Sequence, residues 1–229
     1  MTLPLLISVP HAGLSIPPDV KSICILTSEQ ILADSDEGAA EIYNLQGQVA
    51  EFVTTDIARA VVDLNRAEED RRSDGVVKTH TIWNQPIFSE PLPEALIHTL
   101  LNKYYNPYHQ QLTDLARKTQ IKLGLDCHTM VAFGPPVGPD PGKKRPWVCL
   151  SNDDKTCPQP WLEKLAECFK KTFENQVSIN EPFRGGYIIR SHADELPWIQ
   201  IEIFRDSFYP NAEKRIRVLE AITMFCKSL

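Results

Sequence analysis

Short apolar runs that stop on polar residues alternate with segments of helical period along this chain, and nothing else narrows its fold as much. Leu5, Leu6, Ile7 and Val9 end at Pro10-His11, with Gly13 close behind. Ala60–Leu64 ends among Asp63, Asn65 and Arg66, Ile121–Cys127 delivers Asp126 and His128, and Trp198–Ile203 carries Glu202 inside its apolar run. These read as strands, as do Phe52–Thr55, Trp147–Leu150 and Tyr187–Arg190. Between them Ile42, Leu45, Val49 and Phe52 recur at spacings of three and four, which predicts a helix from Gly38. Leu96, Leu100, Tyr104, Tyr108, Leu112 and Leu115 predict a second over about 93–119, kinked or split by Pro107. Leu162, Leu165, Phe169 and Phe173 mark a third, opened by Pro158 and Pro160, and Ile216, Leu219, Ile222 and Cys226 a last one. This alternation implies an α/β chain with a largely parallel or mixed central sheet covered by helices on both faces. No repeat or linker interrupts it, so residues 1–229 are expected to form a single domain.

Composition excludes several classes. Of 229 residues, 42% are hydrophobic and 24% charged, which is the balance of an ordinary globular protein rather than a disordered or fibrous one. The formal charge of -6, with Lys143-Lys144-Arg145 as the tight basic cluster, argues against nucleic acid as a partner. No apolar run approaches the roughly 20 residues of a bilayer span, so no membrane partner is expected. The N-terminus lacks the pattern of a signal peptide, which predicts a mature chain starting near Met1 and a cytoplasmic location. Six cysteines without a C-x-x-C pair fit reduced thiols there. Oligomeric state is not readable from the sequence. Residues 71–93 show no period and read as a long irregular excursion, and 133–146 holds five prolines and three glycines.

In an open sheet, ligands lie beyond the carboxyl ends of the strands, where these polar residues fall. Two histidines from different strand ends with one carboxylate make a three-ligand zinc site with a position left for water. Asp34 and Asp36 are the acids best placed for it, although a D-x-D before a helix also serves as an N-cap, and either histidine alone reads as a core residue bonded to backbone. Cys127 and His128 point to opposite faces of a strand, which rules out a thiol and base pair.

Taken in order, Ser8-Val9-Pro10-His11-Ala12-Gly13, Asp36-Glu37-Gly38-Ala39, Val62-Asp63-Leu64-Asn65-Arg66, Tyr108-His109, Leu125-Asp126-Cys127-His128-Thr129, Phe183-Arg184-Gly185-Gly186-Tyr187-Ile188 and Gln200-Ile201-Glu202-Ile203 resemble the N-formylglutamate amidohydrolase family. The resemblance runs from residue 8 to about 209. It implies an α/β fold of the zinc-exopeptidase and aspartoacylase kind (phosphorylase/hydrolase-like), one Zn2+ ion, and a small anionic N-acyl amino acid as substrate. By the same resemblance His11 and His128 are metal ligands with Asp36 as the carboxylate. Position 14, where the zinc peptidases place their acid, is Leu here.

Glu202 is then expected as the general base, against a buried carboxylate paired with an arginine such as Arg205. Arg66 is expected to clamp a substrate carboxylate with Asn65 beside it, against an ordinary salt bridge to Asp63 or Glu68. Arg184 before Gly185-Gly186 reads equally as a ligand contact or a plain turn. Arg190 and Arg205 are further cations, one of them able to polarise a carbonyl or bind a second carboxylate. His109 reads as structural or as a support for a ligand. The function expected is hydrolysis of an N-formyl amino acid such as N-formylglutamate. The alternatives are another N-acyl amino acid or short peptide, or a non-catalytic binding protein on the same scaffold.

Overall fold

A computed structural model describes residues 2–205 and 208–229. The expected mature start at Met1, and the part of the resemblance that falls on 206–207, lie outside the described residues. Six strands form one mixed sheet in the order β2-β1-β3-β6-β4-β5. They are β1 (Leu3–Val9), β2 (Val49–Thr54), β3 (Leu123–Met130), β4 (Val148–Ser151), β5 (Val177–Ile179) and β6 (Trp198–Phe204). β2, β1, β3 and β6 run parallel. β4 is antiparallel to β6 and carries β5 parallel to itself. All residues of β3 and β6 are buried, as expected of central strands covered on both faces.

Helices pack on both faces. Apolar residues of α2 (Ala39–Ile42), α5 (Gln159–Thr172) and α7 (Asn211–Cys226) meet Leu5, Ile7, Val9, Leu125, Cys127, Ile199 and Ile201 in one cluster. On the other side α3 (Glu94–Leu100), α4 (Asn106–Ala116) and α6 (Tyr187–Ser191) pack around Leu6, Val53 and Trp198. Gly124 lies in register with Trp198, and a Cβ at Gly124 would sit 2.3 Å from the indole ring. Here glycine makes room for the largest core side chain.

Several local expectations fail for physical reasons. The helix predicted from Gly38 is a single turn, α2, because Gly47 adopts a left-handed φ of 82° and turns the chain into β2, where Val49 pairs with Leu3. Ile42, Leu45 and Val49 do share one core, so the spacing reported burial and not helix. Ala60–Leu64 is buried but forms turns, with the Val61 and Val62 amides donating to the Ala58 carbonyl. Tyr187–Arg190 is the helix α6 rather than a strand, its Ile188 amide capped by Asn65 Oδ1 at 2.8 Å. β3 extends past Cys127 to Met130, so Asp126 and His128 lie within it. On α7 the buried face runs through Lys214, Val218, Ala221, Ile222 and Phe225, and Ile216 is 62% exposed. The Lys214 ammonium lies over the Phe204 ring, which draws its stem into the core.

Other expectations hold. Residues 71–93 carry no helix or named strand. Leu101–Tyr105 is one wide π turn joining α3 to α4, so the break falls just before Pro107, whose missing amide would interrupt a continuous α-helix.

After β1 the chain crosses to β2 on one side, whereas β3 lies on the other side of β1. The crevice beyond β1 and β3 is therefore a topological switch point, where open α/β sheets place ligands.

Candidate active site and metal centre

His11 follows β1, and His128 projects from β3 on the same side as Asp126. Across the β3–β6 pairing Asp126 is in register with Gln200 and His128 with Glu202. The two-residue period of the strands thus brings four polar side chains to one face while Cys127 enters the core behind them. Asp36 comes from the turn after α1 (Ser28–Asp34), its amide held by the His11 carbonyl at 3.1 Å.

His11, Asp36 and His128 offer ligand atoms that all lie within 4.8 Å of one another, and all three residues are buried. Asp36 Oδ2 is 2.9 Å from His128 Nδ1 and 3.6 Å from His11 Nδ1. The other nitrogen of each ring is committed: His11 Nε2 donates to Asp63 Oδ1 at 2.8 Å, and His128 Nε2 donates to Asp126 Oδ2 at 2.9 Å. A carboxylate on the far nitrogen is the usual way a metal-binding imidazole is oriented and made more basic. His11 Nδ1 is a buried nitrogen with no hydrogen-bond partner, a state that costs about 1–3 kcal/mol unless something binds it. The donor set, two imidazoles and a carboxylate, suits zinc or another borderline divalent cation.

Electrostatics support the same arrangement. Burial pushes Asp36 toward the neutral form, yet His11 and His128 outweigh it and hold the carboxyl well below the ordinary range. Burial acts against charge on His128, but Asp126, Asp36 and Glu202 raise its pKa well above that of a free imidazole. The His128 Nδ1 position therefore attracts positive charge, which a cation can supply in place of a proton. Asp63 is likewise held far below its usual value against the effect of burial, by His11, Lys78 and Arg59. Arg59 spans the cluster, donating to Asp36 Oδ1 and to Asp63 Oδ2, each at 3.2 Å.

Glu202 is 7% exposed and lines the cleft. Burial raises its pKa to about 7, opposed by the charge on His128. A carboxyl poised there can take and return a proton near neutrality. Arg205, the arginine offered as its partner, instead donates to Asp36 Oδ1 at 3.3 Å and to the Thr129 hydroxyl at 3.0 Å.

Asp34 does not join the cluster. Its Oδ2 pairs with Lys78 at 3.2 Å and its Oδ1 accepts the Ile82 amide at 2.7 Å, which ties the irregular 71–93 segment to α1. Asn65 lies inside the site: its Nδ2 donates to Asp126 Oδ2 at 3.0 Å, beside His128 Nε2, and its Oδ1 accepts from α6. Gly186 passes so close that a Cβ there would meet Asn65 at 2.1 Å. Arg66 lines the cleft; it is hydrogen-bonded to Asp74, through the carbonyl at 3.1 Å and the carboxylate at 3.4 Å, and lies within ion-pair distance of Asp63 at 3.9 Å, as the local salt-bridge reading expected. Arg184 also lines it, 64% exposed at the side chain and paired with Asp154. Arg190 bonds the Gly185 carbonyl. His109 bonds the Leu64 carbonyl at 3.0 Å and His192 at 2.9 Å, behind the Asn65 turn.

The site also uses residues that no sequence signal marked. Arg59 stands four positions before Asp63, a faint cue. Lys78 is fully buried in the segment without period. Arg145, the last residue of the tight basic cluster, is buried with its Nε and Nη2 donating to the two carboxylate oxygens of Asp140 at 2.8 and 2.7 Å, and lines the cleft. The cleft measures about 440 Å³, with Ile82, Val131 and Val137 among its apolar lining, a size suited to a small molecule.

The chain is similar to known proteins over most of its length. The family model described as N-formylglutamate amidohydrolase matches residues 3–209. The N-formylglutamate deformylase of Pseudomonas putida is 26% identical over 227 residues, covering 92% of this chain and 84% of that protein. That of Pseudomonas aeruginosa is 23% identical, covering 83% and 75%. The crystal structure of N-formylglutamate amidohydrolase from Ralstonia eutropha JMP134 superposes with a TM-score of 0.75 at 19% identity, over 98% of this chain and 92% of that one. A gene product of Agrobacterium tumefaciens superposes with a TM-score of 0.76 at 19% identity, over 99% and 90%. On the family match, which spans most of its length, the chain belongs to the N-formylglutamate amidohydrolase family, hydrolases that act on an amide bond.

Proposed function

We propose that this chain hydrolyses the amide bond of N-formyl-L-glutamate to formate and glutamate, using one zinc ion held by His11, Asp36 and His128, with residues 1–229 acting as one catalytic domain in the cytoplasm. The observation that carries the reading is the unpartnered, buried His11 Nδ1 facing Asp36 and His128 while both outer ring nitrogens are tied to carboxylates. When bound there, zinc supplies a Lewis acid that polarises a carbonyl and lowers the pKa of a water toward about 7.

The chain's own residues supply the rest. Glu202 takes the proton from the attacking water and passes it to the departing amine nitrogen, a transfer suited to a carboxyl held near 7. Arg66, half-exposed at the cleft wall and bound to Asp74 at 3.4 Å, receives the α-carboxylate of the substrate by exchanging that long contact. Arg184 stands at the mouth for the second carboxylate. Arg205 and Asn65 act on the cluster: the former bonds Asp36, the latter Asp126. The six free thiols support a reducing compartment.

A second reading, the same chemistry on another N-acyl amino acid or short peptide, draws on the acids already paired with Arg66 and Arg184 and on the apolar wall of Ile82 and Val137. A panel of N-formyl and N-acetyl amino acids separates the two. The hydrolase assignment is tested by Glu202→Gln, for which formate release should fall by at least about 100-fold while bound zinc stays at one equivalent. Full turnover in that variant would refute the role of Glu202.

A further inference from the structure

Gln200 lies two residues before Glu202 on β6 and is 4% exposed. Its Nε2 donates to Glu202 Oε1 at 3.0 Å, and its Oε1 accepts the Gly186 amide at 2.5 Å. These two bonds fix the amide's orientation, because the flipped side chain would set NH2 against N–H and carbonyl against carboxylate. Among the described residues this is the hydrogen bond recorded to the Glu202 carboxyl group, and it occupies one oxygen only. The other end of Gln200 anchors the glycine pair that follows Arg184, on the turn into α6, whose Ile188 amide bonds Asn65.

We infer that Gln200 is a positioning residue for the proposed base: by engaging Oε1 of Glu202 and bracing against the Gly186 amide, it sets the rotamer that presents Oε2 to the reacting water. The terminal torsion of a glutamate side chain is broad and roughly two-fold, and a donor fixed on one oxygen narrows it. The same amide makes the pose of the base depend on the Arg184–Gly186 turn, where a substrate carboxylate would be received. The inference rests on Glu202 acting as the base and adds the residue that aims it.

The test uses the full zinc-loaded chain with N-formyl-L-glutamate as the probe. Gln200→Glu retains an acceptor for Gly186 but faces Glu202 with a second carboxyl group that competes for its proton, and Gln200→Met removes both contacts. For each, kcat should fall about 10- to 100-fold with bound zinc unchanged, and KM should stay within twofold in Gln200→Glu, which keeps the Gly186 contact. In a Glu202→Gln background the Gln200→Met change should cause no further loss, since a residue acting through another has nothing left to aim. Independently of turnover, the infrared band of the Glu202 carboxyl group, assigned by its disappearance in Glu202→Gln, should shift in Gln200→Met. Wild-type kcat in both Gln200 variants, an equal loss in both backgrounds, or an unmoved band overturns the inference. A wild-type protein that releases no formate overturns the hydrolase reading instead, and the band then decides the contact between Gln200 and Glu202.

Discussion

His11 and His128 show the same division of labour between their ring nitrogens: Nε2 on a carboxylate, Nδ1 toward Asp36. The outer carboxylates are therefore part of the site's chemistry. Removing one should leave the ligands present but poorly oriented. Asp126→Ala is expected to weaken zinc binding about 10- to 100-fold, measured by competition with a chelating dye, and unchanged affinity would show that Asn65 alone orients His128. His11, Asn65, Arg66, His128 and Glu202 were legible in the sequence because each is a polar residue at or in an apolar run. Arg59 and Lys78 were not, because their partners Asp36 and Asp34 lie 23 and 44 positions away and only the folded chain pairs them. Local pattern does not choose between Asp34 and Asp36, whereas the resemblance favours Asp36, and the structure supplies a physical reason: Lys78 and the Ile82 amide occupy Asp34.

At the scale of elements, strands β1, β3 and β6 were readable because burial on both faces leaves a run of apolar residues. Elsewhere a tertiary contact overrides local preference. Tyr187–Arg190 has the composition of a strand, but Asn65 and Gln200 cap it as a helix. Ile42 through Phe52 has a helical period, but Gly47 turns the chain. β5, three residues long at the sheet edge, offered too few positions for any period. Where β3 meets β6, Gly124 exists to accept Trp198. Gly124→Ala should displace the indole and cost about 1–3 kcal/mol, seen as a lower denaturant midpoint, with zinc stoichiometry retained because the site lies at the opposite end of the strand. Unaltered stability would mean that the sheet opens there without penalty.

Across the whole molecule, a net charge of -6 coexists with a cleft whose rim carries Arg66 and Arg184 and whose floor carries Arg59, Arg145 and Arg205. Local cations, not the total, decide which anion the cleft receives. The fold also contains an acid-sensitive point apart from the cleft. Burial, with the nearby His192, lowers the His109 pKa to about 4, while the unfolded residue titrates near 6.5. The unfolded chain thus binds the proton first. Stability from this group is fully present above about pH 6.5 and is lost as pH falls toward 4, by on the order of 3 kcal/mol. His192, also lowered by burial, acts in the same direction. The lowered carboxyl groups Asp36 and Asp63 lose their contribution only at still lower pH. Glu202, raised to about 7, acts in the opposite direction over the same range, so the His109 contribution is read from a difference: denaturant midpoints measured from pH 7 to 4 should fall more for the wild type than for His109→Gln, and parallel curves would exclude His109 as the cause.

On the proposed reading, three buried side chains from separate parts of the chain, His11, Asp36 and His128, hold one metal on which amide hydrolysis depends. The decisive measurement is a zinc titration of the metal-free protein that follows formate release from N-formyl-L-glutamate. Activity should rise from zero to a plateau at one equivalent, and His128→Ala should show no rise. Formate release by the metal-free protein, or an undiminished plateau in His128→Ala, would contradict the account.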